Sequence, residues 1–254
     1  GWLGRWGDGQ DDPFCDTFIG GATPQALQGK ERSAPAISSV DGFTVRMPKP
    51  FEDALEQEMN LKRQGRAEEV RQAMLSLRGA LDKVGRIRAF TNKVQYPDNG
   101  FGKSMADVAR MIAGGLGSSV YYTTVGGWDT HAAQGPRQAE LLGYLGQTLS
   151  AFRADLKAIG RDKDVLIMAF SEFGRRVQEN ASHGTDHGKG GLMMVLGGGV
   201  KGGMYGGEPD LEDLDDGDLK YQTDFRNVYA SSLTWISANT KQVLGQDFKP
   251  LELI

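Results

Sequence analysis

Val165-Leu166-Ile167-Met168-Ala169-Phe170 is an unbroken run of six apolar residues. A half-solvated strand alternates apolar and polar side chains, so this run reads as a strand buried on both faces. Such a strand needs helices over both of its sides, and parallel sheets are where that covering is found. The neighbouring sequence supplies them. Met105, Val108, Ala109, Ile112 and Leu116 recur at helical spacing, and Gly114 with Gly115 end that helix. Ser119–Val125, β-branched and aromatic, reads as the next strand. Leu141, Leu142, Leu145, Leu149, Phe152 and Leu156 stripe a helix from Pro136 to Ile159. Leu192–Leu196 predicts a further strand and Asp224–Ser237 the last helix. Helix, strand, helix, strand in this order predicts an α/β fold with a largely parallel sheet covered by helices.

The chain of 254 residues reads as one domain in three stretches. Residues 1–50 are irregular, rich in Gly, Pro, Asp and Ser, with short candidate strands at Asp16–Ile19, Ala36–Ser39 and Phe43–Met47. Residues 51–94 are a helical insertion in which Gly65 separates two helices. Phe51, Leu55, Met59 and Leu61 mark the first, and Val70, Met74, Leu77, Leu81 and Val84 mark the second. Nine basic residues between Lys62 and Lys93 are balanced by seven acids between Glu52 and Asp82, the pattern of a solvated helical face. Residues 95–254 form the α/β core. A net charge of −4 gives no reason to expect nucleic acid. No stretch approaches the ~20 apolar residues of a membrane span. Cys15 is the only cysteine, which rules out an internal disulfide. The chain opens Gly1-Trp2-Leu3-Gly4 without methionine, so it reads as a fragment or processed product whose targeting segment lies outside it.

The chemistry-bearing residues cluster. His131 closes Gly126-Gly127-Trp128-Asp129-Thr130-His131, and His183 and His187 frame His183-Gly184-Thr185-Asp186-His187-Gly188. No other histidine exists in the chain. Histidine and carboxylate are ligands for borderline divalent metals such as zinc and manganese. Open parallel sheets bind ligands beyond the carboxyl ends of their strands. Asp129 and His131 follow Val125 at the end of one strand, and Glu172 follows Phe170 at the end of the next, so neighbouring strands would bring all three together. His187 precedes the Leu192–Leu196 strand, which by the same logic puts it at the opposite edge. A glycine-rich loop from Gly184 to Gly191 can carry it across, or that strand can run antiparallel. His183 reads as a loop residue. Asp186 either binds metal or accepts the ring N–H of a neighbouring histidine. Arg175 and Arg176 can hold an anionic group by paired hydrogen bonds, the alternative for Arg176 being a salt bridge to Glu172 or Glu179. The hydroxyls of Thr130, Ser171 and Thr185 sit where turns or caps use them. Asp213–Asp218 resembles a calcium loop in composition, but its glycine is one place early and no glutamate closes it, so a solvated turn is expected. Gly197-Gly198-Gly199 has neither the lysine of a phosphate loop nor dinucleotide spacing, and no Gly-x-Ser-x-Gly elbow exists.

Gly-Gly-Trp-Asp-Thr-His, the apolar strand into Ser171-Glu172-Phe173-Gly174-Arg175, Gly-Thr-Asp-His-Gly and Asp224-Phe225-Arg226-Asn227-Val228-Tyr229-Ala230 together resemble the bacterial "domain of unknown function 1501" proteins. Asp16–Leu27 and Val200–Asp210 extend the resemblance over nearly the whole chain. That family is grouped with the alkaline phosphatase and sulfatase superfamily. The resemblance implies a three-layer α/β/α fold, incomplete here at its amino-terminal side, and an exported, periplasmic protein with a twin-arginine signal. It also implies a divalent cation (zinc, manganese or calcium) held by Asp129, His131, Glu172, His187 and Asp186, with Arg175 contacting a small anionic ester. Phe173 stands where the superfamily has a histidine, and nothing in residues 1–50 matches its nucleophile. The leading expectation is the carboxy-terminal part of an exported metal-dependent phosphatase/sulfatase-like hydrolase. The alternative is a non-catalytic binding or scaffolding protein that retains the fold.

Overall fold

The computed structural model describes residues 1–42, 48–50, 53, 56–57, 61 and 64–253. The expected strand Phe43–Met47 and most of the first helix of the insertion, including Phe51, Leu55 and Met59, lie outside the described residues. The fold is mixed α/β. Helix α1 (Trp2–Gly7) precedes β1 (Asp16–Ile19), a 3-10 turn (Gln25–Leu27) and β2 (Ala36–Ile37). Later come helices α2 (Arg66–Ala89) and α3 (Gly100–Gly114), then β3 (Val120–Thr123) and the long α4 (Gln134–Ala158). Beyond β4 (Leu166–Ala169) come the short β5 (Gly174–Arg175) and β6 (His187–Gly188), then β7 (Met194–Gly197). A hairpin of β8 (Leu214–Asp215) and β9 (Asp218–Leu219) leads to α5 (Phe225–Trp235) and α6 (Thr240–Leu244).

Three strands form a small parallel sheet in the order β2-β1-β3, with Asp16 opposite Val120 and Ile19 opposite Thr123. Its alternation sets two apolar clusters. Ile19 and Ile37 point one way, into a core with Ile87, Met105, Met111, Leu149, Phe152 and Leu156 from the three central helices. Phe18 points the other way, with Leu3 of α1 and Leu27. Trp6, Cys15, Leu233 and Val243 join α1 to α5 and α6. Each large apolar side chain so enclosed contributes about 1.5–3 kcal/mol.

The largely parallel sheet is realised only in part. β4 pairs antiparallel with β7, Leu166 opposite Gly197, and this pair is separate from the parallel three. A parallel return from β4 needs a crossover of a dozen or more residues, usually a helix. The segment between β4 and β7 contains only the two-residue strands β5 and β6, so the chain comes straight back. β3 and β4 are therefore not paired neighbours. The apolar run of β4 is also half-buried at every position and not fully enclosed.

Local signals place the helices. The Asn99 side chain accepts from Gly102 N–H at 2.8 Å and caps α3, while Gly115 ends it in the left-handed region. Asp224 caps α5 in the same way, accepting from Arg226 N–H at 2.9 Å. Gly65 stands before the first turn of α2 at φ 60. Along α2, Val70 is 55% exposed, whereas Ile87 near the carboxyl end is 5% exposed and joins the core. The acidic Asp213–Asp218 segment is a tight hairpin. Asp216 and Gly217 both take positive φ, the pattern of a type I′ turn, and Asp213 and Asp215 pair with Lys220 and Lys189.

One buried charge holds α4 to the rest. Asp155 is fully buried in the middle of the apolar stripe and accepts from Asn92 Nδ2 and Lys93 N–H, both at 2.7 Å, and from the Tyr96 hydroxyl at 3.0 Å. Burial first, and the Asp155 charge second, push the Tyr96 phenol above its ordinary range. Replacing Asp155 with Ala strands three donors under α4. We expect a loss of about 3 kcal/mol of stability or more, measured as a lower midpoint in urea unfolding with little change in slope.

Candidate metal centre

The carboxyl end of β3 runs into Val125-Gly126-Gly127-Trp128, where Gly127 at φ 95 turns the chain so that Asp129 and His131 project together. Asp129 Oδ1 lies 2.8 Å from His131 Nε2 and 2.7 Å from His187 Nε2. Asp129, His131 and His187 each offer a ligand atom, all within 4.8 Å of one another. The two imidazole rings are tilted at 35°, with centroids 4.9 Å apart. All three side chains are exposed, so the cluster is open to solvent and to a ligand.

His187 reaches this group because the chain doubles back. β6 pairs antiparallel with β5, His187 opposite Arg175 and Gly188 opposite Gly174. This ribbon carries the imidazole to the same edge as Asp129, the step that strand-end reasoning made awkward. It demands glycine: a Cβ on Gly174 would sit 1.8 Å from Gly190 O, and one on Gly188 would meet the Arg175 backbone at 2.7 Å. Phe173 stacks on the His187 ring at 3.9 Å and 9°, fixing its plane.

The loop between β5 and β6 docks on the start of α4. That helix has no side-chain cap, and Ala133 before it takes φ 44. Its first amides are met from outside. Ala133 N–H donates to Ser182 O and Gln134 N–H to His183 O, both at 2.9 Å. Asn180 ties the loop together. Its Nδ2 donates to His131 O at 3.0 Å and Asp186 Oδ1 at 3.3 Å, and its Oδ1 accepts from Ser182 and Gly184 N–H. Arg175 is the second clamp, its guanidinium donating to the carbonyls of Trp128, Thr130 and Thr185. It joins the Asp129–His131 loop to the Asp186–His187 loop through their backbones.

The remaining sequence candidates are placed as follows. Asp186 is outside the three-residue group and stands behind it, its Oδ1 3.2 Å from His131 Nδ1. Glu172 is also outside. It follows β4 beside Tyr122 and Tyr229, and together with burial, the larger cause, its charge raises both phenols, Tyr229 to about 12. Arg175 spends its Nη groups on carbonyls where an anion contact was expected. Arg176 pairs with Asp218 at 3.6 Å and the Asp216 carbonyl, and not with Glu172 or Glu179. The His183 side chain is 84% exposed, and its imidazole bonds Glu179. Thr130 Oγ1 donates to Trp128 O, Ser171 Oγ to Phe173 O and Thr185 Oγ1 to Gln134 Oε1, so all three hydroxyls are used locally. Sequence reasoning missed Asn180. Its only signal is the turn-forming Asn180-Ala181-Ser182-His183-Gly184, which does not say what the side chain will hold.

Electrostatics follow the contacts. The hydrogen bond from His187, then that from His131, hold the Asp129 carboxyl below its ordinary range. Asp186 is lowered by His131 first and Asn180 second. Both ring nitrogens of His131 therefore face carboxylate oxygens. Hydrogen bonds at both require a proton on each nitrogen, whereas a divalent cation on the Nε2 side takes the place of one proton and leaves Nδ1–H to Asp186. Two imidazoles and a carboxylate suit zinc or manganese, so the donor set fits the ion.

The fold and site define a mixed α/β protein with an exposed carboxylate–imidazole cluster beyond a parallel strand. The profile of the family described as "Protein of unknown function (DUF1501)" matches residues 28–248, and the chain belongs to that family. No curated protein and no solved structure matches it.

Gly184 is where the docking loop touches His131, and a Cβ there would lie 2.3 Å from the His131 carbonyl carbon. Substituting Ala at Gly184 should therefore lift the loop and cost about 1–3 kcal/mol. The nuclear Overhauser contact between the His131 and His187 rings should vanish in the variant, and its persistence would show that the loop tolerates the displacement.

Proposed function

We propose that this chain belongs to a metal-dependent hydrolase of the phosphatase and sulfatase kind, with a three-layer α/β/α architecture and small anionic esters as substrates. Asp129, His131 and His187 hold a divalent cation. The observation that carries the reading is the convergence of these three donors, with Asp186 behind His131. In such a site Asp186 fixes the His131 tautomer, Phe173 the plane of His187, and Arg175 the separation of the two loops. A divalent cation held there lowers the pKa of an attacking hydroxyl and stabilises charge on the transferred oxygens. Glu172 and Asp186 are not ligands in this reading, and Arg175 positions the site without touching substrate. Export to the periplasm rests on the family resemblance alone.

A second reading, a binding or scaffolding protein, draws on a different observation. The hydroxyls of Thr130, Ser171 and Thr185 each donate to a carbonyl oxygen. A covalent hydrolytic route needs an activated nucleophile, which these groups do not provide.

Titration calorimetry with zinc, manganese and calcium tests the first point. We expect one site, a loss of about 100-fold or more in affinity for Asp129→Asn or His187→Ala, and about 10–100-fold for Asp186→Ala. Glu172→Gln should leave the affinity unchanged. The absence of saturable binding by any of the three ions would overturn the metal reading. For the same chain with each cation we expect no turnover of aryl phosphate or aryl sulfate. Metal-dependent turnover that disappears in Thr130→Ala would show Thr130 to be the nucleophile.

A further inference from the structure

His187 owes its place to a ribbon of two residue pairs, and a ribbon that short is marginal without support. Arg175 and His187 stand opposite one another, so their side chains leave the same face, the one toward Asp129. Alternation turns their successors, Arg176 and Gly188, to the other face. Against that other face lies the acidic hairpin of β8 and β9.

The hairpin holds both strands of the ribbon. On the β5 side, Arg176 donates to the Asp216 carbonyl, and its Nε lies 3.6 Å from Asp218 Oδ1. On the β6 side, Lys189 Nζ donates to Asp215 Oδ2 at 2.6 Å. Between these ties the two backbones close up where glycine leaves room. A Cβ on Gly188 would lie 2.8 Å from Asp218 Oδ1, and one on Gly190 2.8 Å from the Leu219 Cβ. One on Gly217 would lie 2.6 Å from Arg176 Nη2.

The carboxylates of the hairpin differ in their surroundings. Asp213 and Asp215 are exposed and pair with lysines, as a solvated turn would. Asp218 is only 9% exposed, and its Oδ1 is buried without a hydrogen-bond partner. The Arg176 guanidinium meets its charge at ion-pair distance. Such a pair contributes little net stability, because desolvation offsets the attraction. It does fix where Arg176 lies. The Arg176 N–H donates to Asp186 O at 3.0 Å, so the strand anchored by Arg176 carries the residue before His187.

We propose that Asp218, acting through Arg176, is a positioning residue of the metal centre, and that the β8–β9 hairpin sets how far His187 reaches toward Asp129. The inference rests on the reading of Asp129, His131 and His187 as metal ligands. The acidic segment then serves the cation at second hand, by aiming one of its ligands.

The test is zinc titration calorimetry with thermal unfolding, on the whole chain. Asp218→Asn keeps the shape of the side chain and removes its charge. Zinc affinity should fall about tenfold or more, with little change in Tm. Lys189→Met frees the other strand and should weaken binding by a smaller factor, since its ion pair is exposed. Asp213→Asn, whose partner is Lys220, should change neither quantity. A general structural role would weaken binding in every background, whereas a role through His187 would not. In His187→Ala the further change Asp218→Asn should leave the residual affinity unchanged, while in Asp186→Ala it should still cost about tenfold. The inference is overturned if Asp218→Asn binds zinc as tightly as the unmodified chain, or loses the same factor with and without His187. Should Asp218→Asn fail to fold, Lys189→Met decides by the same comparison. A chain that binds no zinc would overturn the metal reading, and the positioning role is then read in the metal-free protein. There the nuclear Overhauser contact between the His131 and His187 rings should weaken in Asp218→Asn and persist in Asp213→Asn. An unchanged contact in Asp218→Asn overturns the positioning role too.

Discussion

The parallel register of β1 against β3 sets the position of everything that carries chemistry. β1 is buried throughout, with Asp16 and Thr17 wholly enclosed beside Phe18 and Ile19. The Asp16 charge is tolerated because Arg32 lies 2.5 Å from its Oδ1 and donates also to Pro13 O. Asp8 in turn accepts the N–H groups of Lys30, Glu31 and Arg32, which holds that arginine's segment against the strand. A buried ion pair is weak evidence of net stabilisation, but removing one partner leaves an uncompensated charge and is strongly destabilising. The pair thereby pins β1. Since Ile19 lies opposite Thr123, β1 also pins the point at which β3 releases the chain toward Asp129 and His131.

From that point the site is assembled by backbone carbonyls and polar side chains, with little apolar packing. Arg175 gathers three carbonyls from two loops, and Asn180 gathers a carbonyl, a carboxylate and two amides. The unsatisfied amides at the start of α4 add two more bonds to the same loop. Such an arrangement fixes position without a core of its own, and it leaves Asp129, His131 and His187 exposed. Hydrogen bonds to charged groups are worth more than neutral ones, about 1.5–3 kcal/mol each. Arg175 is therefore the larger clamp of the two.

Much of this was legible in the sequence, and the failures share a cause. The stripes of α3 and α4 and the apolar run of β4 declare themselves by period, as does the Asp129/His131 turn by its place after a strand. Pairing is non-local, so nothing in Leu192–Leu196 said that β7 would run antiparallel to β4. β5 and β6 are two residues each, too short for any period, which is why the route of His187 to the site stayed open. Glu172 was expected among the ligands because it follows a strand. β4 does not pair with β3, and Glu172 ends beside Tyr122 and Tyr229 instead. Asp155 was invisible for the opposite reason: a polar residue within a helical stripe reads as outward-facing, and only its three donors from the 92–96 segment reveal that it points in. Clamps on carbonyls, such as Arg175, have no sequence signature at all, since a carbonyl belongs to every residue.

The half-burial of β3 and β4 bears on the site as well as on the sheet. Val125 and Trp128 beyond β3, and Ser171, Glu172, Phe173 and Arg175 beyond β4, all border the same cavity as the strands they follow. The β3 and β4 exits are bridged at the rim, where Arg175 reaches the carbonyls of Trp128 and Thr130, Asn180 the carbonyl of His131, and His187 the Asp129 carboxylate. Below the rim nothing hydrogen-bonds β3 to β4 among the described residues. Phe173 and His187 hang from the β4 side, and Asp129 and His131 from the β3 side. The hydrogen bonds of Arg175 and Asn180 across the rim fix the distance between these two halves of the ligand set.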